Sequence, residues 1–62
     1  MLSSTLVDEL IYALNEFGDK RMADDLLNSG NPKLEQAGQQ WGITHGFLLG
    51  GTAEGHKALF IP

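Results

Sequence analysis

The sequence predicts a small α+β domain, three short helices followed by a C-terminal β-hairpin. Two observations carry that prediction. From Leu6 to Trp41 the apolar residues recur at helical spacing, interrupted at Gly18 and again at "NSGNP". Beyond Trp41 the pattern stops: Gly46, Gly50, Gly51 and Gly55 fall within ten residues, between the apolar runs "FLL" and "ALFI". Glycine at that density opposes a helix, and short apolar runs around a turn-rich segment read as paired strands.

The first helix is expected over residues 5–17. Thr5 has the hydroxyl of an N-cap. Leu6, Val7, Leu10, Ile11, Leu14 and Phe17 form one broad apolar stripe. Asp8 and Glu9 sit near the positive end of the helix dipole. Gly18 is expected to end the helix in the left-handed conformation.

Asp19 can cap a second helix at once, over residues 20–28, with Met22, Ala23, Leu26 and Leu27 inward. Lys20 and Arg21 lie at the unfavourable end of its dipole, a cost of about 0.3 kcal/mol or more each. Gly30 then stops this helix, Asn31 caps the next, and Pro32 suits a first helical position.

The third helix is expected over residues 32–41, ending at Gly42. Leu34, Ala37, Gly38 and Trp41 share one face, and Lys33, Gln36, Gln39 and Gln40 the other. Gly38 weakens the helix by about 1 kcal/mol relative to alanine, so a close approach is expected there, by the first helix. The hairpin occupies residues 47–61. The expected core is Leu6, Leu10, Ile11, Leu14, Phe17, Leu26, Leu27, Leu34, Ala37, Trp41 and Phe60.

Composition narrows the chemistry. A chain of 62 residues is expected to form a single domain, residues 1–62. A domain of that size buries only about 60% of the surface its unfolded form exposes. With no cysteine, disulfides, thiolate metal sites and thiol catalysis are excluded. Two histidines alone do not close a zinc site, so no metal is expected. Apolar residues at 42% and charged residues at 19% describe a globular chain, yet no apolar run approaches the roughly 18 residues of a membrane span. The N-terminus has no basic region ahead of an apolar one, so no signal peptide is expected. A cytoplasmic location fits these features.

The glycine loop resembles a phosphate-binding loop only in part. Gly50 and Gly55 have its spacing, but His56 stands where the lysine belongs and Ala58 lacks the hydroxyl that would meet magnesium. A turn is expected, with no nucleotide and no cofactor. No residue is marked as a nucleophile, and no enzyme activity is expected.

The order helix, helix, turn, helix, hairpin resembles the winged helix-turn-helix superfamily. "MADDLLNSGNPKLEQAGQQW" carries the helix-turn-helix and "GFLLGGTAEGHKALFI" the wing. The resemblance implies that Lys33, Gln36, Gln39 and Gln40 form the exposed face of a recognition helix, with His56 and Lys57 on the wing. It implies sequence-specific DNA binding. Charge argues otherwise. The chain has four basic residues and a net charge of −4, and that excess lies wholly in residues 1–30, six acids against two bases. DNA affinity rests heavily on neutralised phosphates. The leading expectation is therefore a non-catalytic regulatory module acting through protein contacts, as a homodimer; DNA binding is the alternative. The apolar final strand is expected at an open sheet edge, with Leu59, Phe60 and Ile61 at the dimer contact.

Overall fold

The computed structural model describes residues 4–62. It contains α1 (Ser4–Phe17), α2 (Lys20–Leu27), α3 (Pro32–Thr44), β1 (Leu48–Gly51) and β2 (Lys57–Phe60). The strands form one antiparallel hairpin, with Leu48 opposite Phe60 and Gly51 opposite Lys57. The α+β class read from the sequence is the observed one. The helices α2 and α3 pack most closely; α1 lies on α3, β2 on α2, and β1 beside the end of α3.

Local chemistry explains the breaks between helices. Asp19 caps α2, its Oδ1 accepting the Met22 amide at 2.9 Å. Asn31 caps α3, its Oδ1 accepting the Lys33 amide at 2.9 Å and the Leu34 amide at 3.2 Å, with Pro32 first in the helix. Between them Gly30 adopts φ +80°, a conformation open to glycine at no steric cost.

Three terminal expectations are corrected. Ser4 is already helical, so Thr5 lies inside α1 and is not its cap. Gly18 ends α1 without a positive φ. Its lack of a side chain matters instead, because a Cβ there would run into the Leu14 carbonyl. Gly42 does not end α3, which continues to Thr44; the left-handed residue after it is Gly46, φ +84°.

Both glycines on the inner face of α3 are contact points. A Cβ at Gly38 would lie 2.9 Å from the Ala23 carbonyl oxygen, so the element that approaches is α2, not α1. A Cβ at Gly42 would collide with the Leu59 side chain. The helix accepts two weak formers because each lets a neighbour come closer.

The buried core is Val7, Leu14, Ala23, Leu26, Leu27, Leu34, Trp41 and Leu59. Leu10, Ile11, Met22 and Ala37 are half-buried against it. Three expected core residues are exposed: Leu6, Phe60 and Phe17, the last at 81%. The error on α1 has a geometric cause. Among the described residues only α3 makes extensive contact with α1, so the covered arc is narrower than the apolar stripe. The error on β2 is one of parity, since a single-residue shift in strand phase exchanges the inward and outward faces. Leu59 points in and Phe60 points out.

Trp41 anchors the junction between helix and hairpin. Its ring stacks on His45 at 4.1 Å between centroids and on Phe47 at 5.8 Å. The His45 Nδ1 also lies 2.8 Å from the Trp41 carbonyl oxygen. This histidine is thereby held at the end of α3.

Candidate interaction surface

The hairpin turn is built by three groups. The Gly55 amide donates to the Thr52 carbonyl at 3.0 Å, and the Thr52 amide donates to the His56 carbonyl at 2.8 Å. Gly55 takes φ +86°, the left-handed position of a bulged three-residue loop. The turn leads into β2, whereas a phosphate loop needs a helix N-terminus there.

One edge of the hairpin is closed by α2. The Leu59 amide donates to Asp24 Oδ1 at 2.8 Å. The Lys57 amide donates to Asn28 Oδ1 at 2.8 Å, and Asn28 Nδ2 returns a bond to the Lys57 carbonyl at 2.7 Å. Asp24 and Asn28, one helical turn apart, occupy the positions of a neighbouring strand. Lys20 steadies the arrangement through Asp24 Oδ2 at 2.8 Å. The expected open edge along the final strand is thus corrected in large part: the Lys57 amide and carbonyl and the Leu59 amide are already bonded.

The other edge is open. Because the Lys57 and Leu59 amides face α2, Ala58 and Phe60 face β1 and pair with Gly50 and Leu48. The amides and carbonyls of Leu49 and Gly51 therefore point away from β2. No described residue bonds them. The edge is closed off at its start, where the Phe47 amide donates to the Gly42 carbonyl at 2.8 Å.

Exposed apolar side chains lie on both strands of the hairpin. Leu48, Leu49, Phe60 and Ile61 are all exposed, Ile61 at 79%. The Phe60 ring lies over Gly50, where a Cβ would sit 2.8 Å from its Cε2. From Gly46 to Pro62 the only charged residues are Glu54 and Lys57. Of the expected dimer contacts, Phe60 and Ile61 are available, but Leu59 is 1% exposed and belongs to the core.

The candidate recognition face divides differently. Lys33, Gln36, Gln39 and Gln40 are exposed along α3, and Ile43 lies among them. Lys33 is held by Asp8 of α1 at 2.8 Å. Lys57 lies 3.6 Å from Glu35. Residues 33 and 35 are about 200° apart around the helix. Their lysine and glutamate draw Asp8 and Lys57 to opposite flanks, so the two lysines do not form one basic patch. His56 is exposed on the turn, apart from both.

Among the described residues, no three His, Asp or Glu side chains assemble as a metal-binding group, and no helix is long and apolar enough to cross a membrane. Set against known proteins, the chain matches no family model, no curated protein and no solved structure.

Sequence reasoning missed Asp24, Asn28 and the Leu49–Gly51 edge. In sequence the first two are polar residues off the apolar stripe of α2, and nothing local marks them as strand partners. For the edge a signal existed: "LLGG" carries no charge and no proline, the usual protections of an exposed strand.

Proposed function

We propose that the protein is a non-catalytic, regulatory binding module that acts through protein contacts made by its hairpin. One observation carries this reading. The uncharged apolar residues Leu48, Leu49, Phe60 and Ile61 are exposed on a hairpin whose β1 edge has backbone groups with no partner among the described residues. Strand edges of this kind bind by adding a strand, with apolar side chains supplying the contact area. A cytoplasmic setting accords with the lack of cysteine.

A second reading is DNA binding by a winged-helix arrangement. The element order supports it, and so do the exposed polar side chains of Lys33, Gln36, Gln39 and Gln40 on α3. Against it, Lys33 and Lys57 are already paired with carboxylates. Photo-crosslinking in cells separates the readings. A photoreactive side chain at Ile61 should yield protein adducts, and one at Gln36 none with nucleic acid. Nucleic-acid adducts from Gln36 without protein adducts from Ile61 would replace the first reading with the second.

A further inference from the structure

On the reading of the hairpin as a protein-binding surface, we infer that its partner is a second copy of this chain. The two copies pair antiparallel through β1, about a twofold axis at Gly50, into one continuous four-stranded sheet.

The edge is complementary to itself. Leu49 and Gly51 each direct an amide and a carbonyl away from β2. In an antiparallel pairing centred on Gly50, Leu49 of each chain faces Gly51 of the other, and each facing pair exchanges both N–H···O bonds. A pairing centred on Leu49 would instead place Phe47 opposite Gly51. The Phe47 amide is already held by the Gly42 carbonyl, so that register forfeits bonds that the Gly50 register makes.

The side chains favour the same register. Two facing Gly50 residues form the close, non-hydrogen-bonded pair, with Cα atoms about 4.5 Å apart. Neither has a side chain to obstruct the other. Each Phe60 ring, lying over its own Gly50, is brought beside its symmetry mate. Leu49 meets a glycine across the pair, so no two bulky groups compete for one position.

Charge permits two copies to meet through the hairpin. The net −4 of each chain comes from residues 1–30, while the hairpin balances Glu54 with Lys57. Association through β1 joins neutral segments and leaves the acidic excess of each copy on its helices, where salt screens it beyond about 8 Å. A strand from an unrelated protein has no need of this twofold match.

Sedimentation equilibrium of the whole chain, up to about 1 mM, should show a dimer. The chain is short enough for total synthesis, so single amides can be methylated. N-methylation at Leu49 removes two intermolecular hydrogen bonds per dimer and should weaken association about 30-fold. The Leu49 amide takes no part in the β1–β2 ladder, so the far-UV spectrum should be preserved. N-methylation at Ala53, whose amide also has no partner among the described residues, should leave association unchanged. Should the methylated chain fail to fold, isotope-filtered NMR on mixed labelled and unlabelled chain decides: Hα contacts between two Gly50 residues support the pairing, and their absence in a dimer overturns it. A chain monomeric at the highest concentration, or a dimer indifferent to methylation at Leu49, also overturns it. If that monomer still captures a different protein through Ile61, the self-pairing falls and the binding-module reading stands; without any such capture, both fall.

Discussion

The carboxylate of Asp24 accepts the backbone amide of Leu59 at 2.8 Å, so a helix side chain stands where a strand would. Together with Asn28 it closes one edge of the hairpin and leaves the other to solvent. That contact helps to seat β2 on α2, with the Leu59 side chain packed against Gly42 of α3.

Replacing Asn28 with alanine removes its bonds to the Lys57 amide and carbonyl and to the Asp24 carbonyl. These groups are exposed, so water recovers part of the loss. The expected destabilisation is about 1–3 kcal/mol. It should appear in the urea midpoint, with faster hydrogen exchange at the Lys57 and Leu59 amides. Asp24→Asn keeps the acceptor for Leu59 and loses only a partly exposed ion pair with Lys20, so it should cost about 1 kcal/mol or less. Asp24→Ala should cost more than Asp24→Asn; equal costs would show that the Leu59 bond contributes nothing.

Gly42→Ala tests the seat of the hairpin on α3. Helix propensity alone favours alanine by about 1 kcal/mol. The added methyl, however, meets the buried Leu59 side chain, and overpacking of this kind costs about 1–3 kcal/mol. Net destabilisation is expected. Shortening Leu59 to valine should relieve it, so the double variant should lose less stability than the sum of its parts. Simple additivity in thermal melts would mean that the two side chains do not meet.

Leu14 and Phe17 share the apolar stripe of α1 but not its burial. Leu14 is fully buried and Phe17 largely exposed. Leu14→Ala should therefore cost about 2–5 kcal/mol, enough to unfold a domain of this size. Phe17→Ala should stay within about 0.5 kcal/mol. Similar losses in denaturant titrations would place Phe17 in the core after all.

Gly55→Ala forces a left-handed conformation on a residue with a Cβ, at a cost of about 1–2 kcal/mol. Asparagine tolerates that region better and should cost less. A lower melting temperature for alanine than for asparagine is the expected order, and the reverse would remove the left-handed turn.

Much of the fold was legible because it depends on neighbours in sequence. Asp19 and Asn31 cap their helices through amides two or three residues away, and Gly30, Pro32 and Gly55 set the backbone where they stand. Such signals act over a few residues and carry little ambiguity. They determined three helices, the break between α2 and α3, and the hairpin with its turn. The glutamine face of α3 was legible for the same reason, since helical period alone places Gln36 and Gln40 on one side.

The choice among equivalent surfaces was left to the tertiary structure. Gly42 reads as a helix stop, and only the arrival of Leu59 makes it a seat inside α3. Leu59, Phe60 and Ile61 are equally apolar, and the strand phase that buries the first is set by Asp24 and Asn28, some thirty positions earlier in the chain. The same contact covers the outer edge of β2 and leaves the β1 edge as the open one. Periodicity reports that a residue has an apolar side; which neighbour covers that side is a long-range contact, and no local pattern encodes it.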